Sequence, residues 1–169
     1  SAVGISKTQP AKLAAFEAHY DSSAGDLYLF GWVNESKQQV NLGVKIPGML
    51  SYLIYGDAKK PVTGLNSFKP QDRPPVNIVF QTYHLMVAVG MTLIGLSLLG
   101  VFLWWKKKIL NYRWILWVFV FSVLGPQIAN QVGWISAEVG RQPWIVYGLL
   151  RTSEGLSKVV EANQVVFSL

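Results

Sequence analysis

The chain has 169 residues, of which 51% are hydrophobic, 13% aromatic and 14% charged, with a mean hydropathy of +0.30. Soluble domains carry about a quarter charged residues, so this balance points to a membrane protein. The absence of cysteine excludes disulfides, thiolate metal sites and thiol nucleophiles, and a net charge of +6 without a basic stripe interleaved with aromatics argues against a nucleic-acid partner.

Residues 1–75 hold most of the charges and read as an extramembranous region. The opening "SAVGISKTQP" has neither an initiator Met nor a charged-then-apolar signal pattern. The chain therefore reads as a piece of a longer protein, an expectation strengthened by the apolar run that starts in "NQVVFSL" at the other end. "PAKLAAFEAHY" (10–20) predicts a short amphipathic helix, with Pro10 in the first turn and Leu13, Phe16, Glu17 and Tyr20 at helical spacing. Beyond it, Gly and Pro punctuate "GDLYLFGWVN", "VNLGVKIPGMLSYLIYGD", "KKPVTGLN" and "KPQDRPP", and no period separates strand from helix.

From Ile78 to Trp105 there is no Asp, Glu, Lys or Arg. Leu85–Trp105 alone, 21 residues, is long enough at about 1.5 Å per residue to cross roughly 30 Å of hydrocarbon. The first span is therefore placed at 76–105. Residues 106–113 follow as a basic loop, "KKKILNYR", without an acid, and the positive-inside rule assigns it to the cytoplasm. A second span covers 114–139. Residues 1–75 and a loop at 140–158 then fall on the extracytoplasmic side, and 159–169 reads as the start of a further span.

The second span is uniformly apolar in its first half and polar in its second, with Gln127, Asn130, Gln131, Trp134 and Glu138. At about 100° per residue, Gln127, Gln131, Trp134 and Glu138 share one face, and Arg141 would extend it. Pro126 is expected to bend the helix just before this stripe. Lipid solvates neither amides nor a carboxylate, so the stripe must face protein, water or a cofactor. For the amides, interhelical hydrogen bonding is the plain alternative. In the first span, "YHLMV" holds His84 and Met86. A Met in such a helix is usually core filler, yet a thioether is also an axial ligand for haem iron. Two residues apart, His84 and Met86 point in nearly opposite directions, and composition does not choose between them.

"TQPAKLAAFEAHY", "YHLMV" and "GWISAEVGRQPW" together resemble subunit I of cytochrome bd, the bacterial quinol:oxygen oxidase, over essentially the whole chain. The resemblance implies its C-terminal part. The fold class expected is an all-α integral membrane protein: an extracytoplasmic quinol-binding Q loop, two full transmembrane helices and the start of a third. It implies an oxidase in the bacterial cytoplasmic membrane that oxidises quinol at the outer face and passes electrons through low-spin haem b, high-spin haem b and haem d to reduce O2 to water. Met86 matches the axial Met of low-spin haem b, and Glu138 the carboxylate at high-spin haem b. Trp134 matches the Trp lying among the haems, Arg141 the Arg of the GRQPW motif, and Lys12 and Glu17 the Q-loop residues of quinol oxidation.

By itself the Lys12–Glu17 spacing is more often that of a solvated helix with a near-neighbour charge pair. The implied partners are the rest of subunit I with its histidine ligands, subunit II, and a small single-helix subunit as a further candidate; the piece alone is not expected to be active. His84 departs from the pattern, standing where some relatives carry Arg. Without the resemblance, a transporter whose path the polar stripe lines, or a non-catalytic membrane anchor, would account for the same spans.

Overall fold

The computed structural model describes residues 2–155. Two short helices open the chain, α1 (Ala2–Thr8) and α2 (Pro10–Phe16), and Pro10 occupies the first turn of α2, where a missing N–H costs nothing. The helix expected to run to Tyr20 stops at Phe16. Ala18 adopts φ 46°, His19 N–H donates to the Ala14 carbonyl at 2.8 Å, and Ala18 N–H donates to the Ala15 carbonyl at 3.3 Å. This crossed pair is a Schellman ending, whose left-handed position is held here by the small side chain of alanine. Glu17 thereby leaves the helix and turns inward.

Strands β1 (Ser23–Ala24), β2 (Leu27–Asn34) and β3 (Gln39–Ile46), helix α3 (Met49–Tyr55) and strand β4 (Pro61–Val62) complete a folded layer. β1 pairs antiparallel with β4, and β2 with β3. The chain is thus not all-α. Its alternation was hidden because the β2–β3 register slips twice, once between Tyr28 and Phe30 and again between Phe30 and Trp32. At the second slip β3 carries an extra residue, and Leu42 stands there at φ 50° with 92% of its surface exposed. The core of the layer joins Leu13, Phe16, Val33, Leu50 and Leu65 to Val79 and Phe80 at the foot of the next helix.

Helix α4 (Val76–Trp105) runs for 30 residues. A turn through Lys106–Lys108 and a 3₁₀ segment (Ile109–Asn111) lead to α5 (Arg113–Phe121) and α6 (Leu124–Val139). The segments Pro70–Trp105 and Arg113–Val139 are long and apolar enough to cross a membrane, and hardly any residue of their most apolar stretches is fully buried within the chain. Met91, Leu98, Val101 and Trp114 stand more than half exposed, a surface suited to lipid or further protein rather than water. The break at Ser122–Val123 falls four residues ahead of Pro126, which has no N–H for the Ser122 carbonyl; Gly125 N–H takes that role at 2.9 Å.

α4 and α6 pack along small residues. A Cβ added at Gly125 would meet Leu93 at 3.0 Å, one at Gly133 the Met86 sulfur at 2.6 Å, and one at Gly140 the Lys12 side chain at 3.1 Å. Ser136, fully buried, faces the Val79 carbonyl. Such a stripe lets two backbones approach closely where lipid provides no hydrophobic drive. After α6, strands β5 (Trp144–Val146) and β6 (Leu150–Arg151) form a small hairpin. Arg151 ion-pairs with Asp72 and lies over the Trp144 ring at 4.7 Å, tying this hairpin to the approach to α4. The expected third span at 159–169 lies outside the described residues.

The strained bulge gives a direct test. Leu42→Asn, which tolerates the left-handed region, should stabilise the β2–β3 hairpin by about 1 kcal/mol. Amide exchange in β2 and β3 should slow severalfold, and unchanged exchange would show that Leu42 carries no strain.

Candidate functional site

Three elements meet at Glu17: the end of α2, strand β2 and the first turns of α4. The carboxylate is 2% exposed, and its Oε2 accepts the Tyr28 N–H at 2.9 Å. Burial pushes Glu17 up to about 8, with the Tyr28 hydrogen bond opposing. The plain reading of residue 17 as part of a solvated charge pair therefore does not hold. His84 Nε2 lies 3.8 Å from the same carboxylate oxygen. Tyr28 is held at both ends of its backbone, the N–H by Glu17 and the carbonyl by His84 Nε2 at 2.9 Å.

The other His84 nitrogen, Nδ1, sits 2.8 Å from the Phe80 carbonyl, and the ring stacks on Phe80 with 4.0 Å between centroids. Both nitrogens thus face backbone carbonyls, and the neutral ring donates its one N–H to one of them. His84 fastens α4 to β2, while the Met86 thioether makes no such contact. It lies half-buried in the α4–α6 seam, over Gly133. Phe16 stacks on Tyr83 at 4.4 Å and closes the site on its apolar side.

Lys12 points elsewhere. Its Nζ donates to the Ala137 carbonyl at 2.9 Å, in the last turn of α6, where unpaired carbonyls favour a cation. Burial holds Lys12 below its ordinary range, against the opposing pull of Glu138 and with Arg141 adding to it. Glu138 and Arg141 form an ion pair one turn apart, and Arg141 Nη1 also donates to the Ile145 carbonyl at 3.2 Å. Lys12 therefore joins Glu138 and Arg141 rather than Glu17.

Trp134, Gln127, Asn130 and Gln131 are all exposed, on a face turned away from α4. Hydrogen bonding between these two helices does not account for the amides, because α4 meets the small residues instead. A low-spin haem iron needs two axial donors. Among the described residues there is no group of three His, Asp or Glu able to hold a metal, and the expected donors, the Met86 thioether and the Glu138 carboxylate, stand on different helices. A haem site that drew on these two side chains would need further donors. Sequence reasoning missed Tyr28 and His84 as partners of Glu17. Tyr28 acts through its backbone, which leaves no signal in residue type.

A long apolar helix pair, capped at one end by a folded layer and with its polar chemistry gathered under that cap, defines a helical protein of the membrane type. Its family follows from comparison: the sequence model of "Cytochrome bd terminal oxidase subunit I" matches residues 1–169, and the chain belongs to that family. Among similar proteins, "Cytochrome bd ubiquinol oxidase subunit 1" of Bacillus subtilis (strain 168) is 31% identical, with 98% of this chain and 38% of that protein covered. "Cytochrome bd-II ubiquinol oxidase subunit 1" of Escherichia coli (strain K12) is 22% identical over the whole of this chain and 46% of its own length. Among solved structures, that of the bd oxidase from Geobacillus thermodenitrificans superposes with a TM-score of 0.75 at 34% identity, covering 98% of this chain and 38% of that one. The chain thus spans less than half the length of these relatives.

The Met86–Gly133 contact predicts a graded response. Gly133→Ala needs only a shift of a flexible thioether, whereas Gly133→Leu overpacks the seam at a cost of about 1–3 kcal/mol. In the full-length assembly the leucine variant should melt several degrees lower than the alanine variant. Equal melting would show that the seam is open at this level.

Proposed function

We propose that this chain is the quinol-oxidising portion of a terminal respiratory oxidase, a quinol:oxygen oxidoreductase of the bacterial cytoplasmic membrane. Residues 1–75 form its extracytoplasmic Q loop, α4 and the α5–α6 pair span the bilayer, and the Lys106–Arg113 turn faces the cytoplasm. The basic composition of that turn supports the orientation. Bound haem groups (low-spin b, high-spin b and d) supply one-electron acceptance and the oxygen-reducing iron. Met86 would ligate low-spin haem b, Glu138 would stand at high-spin haem b, and Trp134 would pack among the haems on the uncovered face of α6. Arg141 fixes the charge of Glu138, which its ion pair supports. The missing ligands come from the rest of subunit I, and subunit II completes the complex; a small single-helix subunit is a further partner.

The observation that carries this reading is the buried Glu17 carboxylate against the helix that bears Met86. Glu17 takes the hydroxyl proton of quinol as a general base. Lys12 serves by position: it holds α2, and with it Glu17, on the end of the helix that carries Glu138. His84 and Tyr83 on α4 and Tyr28 on β2 are the other groups facing Glu17.

Only ionised Glu17 accepts a proton. Its raised value means that it is mostly neutral below about 8 and ionised above. Quinol oxidation should therefore rise with pH through about 8 and level off, and Glu17→Gln should turn over at least 10-fold more slowly with that rise removed and haem content intact. Wild-type turnover in the glutamine variant would reject the base.

Met86→Leu should remove or shift the low-spin signal in a reduced-minus-oxidised spectrum of the complex. An unchanged spectrum would reject the ligand.

A further inference from the structure

Glu17 lines two separate cavities, and they share no other residue. The smaller, about 210 Å³, is apolar, walled by Ile5, Leu13, Phe16, Leu50, Leu53 and Tyr83, and Glu17 is its only charged group. The larger, about 320 Å³, is a polar cleft that includes His19, Tyr20, Asp26, Tyr28 and Lys45. Its floor is the buried trio Glu17, Ala18 and Tyr20, and its rim is the exposed Asp21, Ser23, Gln38 and Gln39.

The chemistry of the two sides differs as a donor site and an outlet must differ. An apolar chamber accepts a hydrophobic ring, and among the described residues lining it only the Tyr83 hydroxyl is protic besides Glu17, so no chain of acceptors leads a proton away in that direction. On the polar side, Asp26 accepts from Lys45 and from the Gly48 N–H. Burial pushes Asp26 upward, but these bonds outweigh it and hold the carboxyl below its usual range. It is a fixed anion between Glu17 and solvent. Water fills a polar cleft of this volume readily and bridges such groups.

We propose that the cleft bounded by His19, Tyr20, Asp26, Tyr28, Gln39 and Lys45 is the proton outlet of the quinol site. Glu17 is the shared wall through which protons pass from the apolar chamber to external water. This rests on the reading of Glu17 as the proton acceptor. Each O–H bond of the quinol breaks with its proton moving to a Glu17 carboxylate oxygen and its electron to a haem acceptor. The proton then leaves through cleft water, past Asp26, which regenerates the carboxylate for the second one.

The test uses the full-length oxidase and two exposed rim positions, Ser23→Trp and Gln39→Trp, whose side chains would fill the cleft. The infrared C=O band of protonated Glu17, identified by its loss in Glu17→Gln, is followed after transfer to D2O. In wild type the band should shift within the mixing time, and in both tryptophan variants the exchange should slow at least 10-fold. Their kcat should fall at unchanged KM for quinol, while the haem spectrum stays as in wild type. Leu53→Trp, in the apolar chamber, should do the reverse, raising KM without slowing exchange. Unchanged exchange in both rim variants overturns the outlet while leaving the base intact. Wild-type turnover in Glu17→Gln overturns the base and the outlet with it.

Discussion

A carboxylate taken out of water has to be compensated, at a cost of several kcal/mol if it stays charged. Glu17 receives one backbone N–H and the neighbourhood of one imidazole, and among the described residues no Lys or Arg stands in direct contact. Much of the N-terminal layer exists to provide that small compensation. The Schellman turn aims the side chain inward, β2 brings the Tyr28 amide, and His84 holds the same residue's carbonyl from α4. Partial compensation leaves the group mostly neutral below about 8, which suits the general-base role proposed for it. A full ion pair here would pin it as a permanent anion.

The helix pair below follows a different rule. Glycines and a serine let α4 and α6 come together, and the polar residues of α6 are thereby turned outward. The two halves of this arrangement depend on each other. Small residues on one face leave no space for amides there, and amides on the opposite face have no use in lipid. The exposed stripe of Gln127, Gln131 and Trp134 is therefore suited to protein, water or a cofactor rather than to lipid.

The two apolar helices were legible because length and lack of charge suffice to mark them. The interruption in the second was half legible: Pro126 announced it, but the break lies at the carbonyl that Pro126 leaves unserved, four residues earlier. The strands were not legible. An extra residue in β3, with a leucine in the left-handed region, breaks the alternation that would have revealed them. For the site, Glu17, Met86, Glu138, Arg141, Lys12 and Trp134 were named from motif resemblance. Their grouping was out of reach, because it depends on where α2 stops. Had the helix continued to Tyr20, Glu17 would have stayed on it, about 140° around from Lys12, instead of turning inward. Alanine at residue 18 is an unusual carrier of the turn that ends α2.

Lys12 also has a mechanical consequence. Its bond to the Ala137 carbonyl joins a helix of the folded layer to the last turn of α6, across 125 positions in sequence. A helix in a bilayer is free to spin about its axis, and a rotation by a single residue, about 100°, would carry that carbonyl out of reach. Lys12 is thus a rotational stop. Together with the seam against α4, it holds the azimuth at which Trp134 and Glu138 are presented.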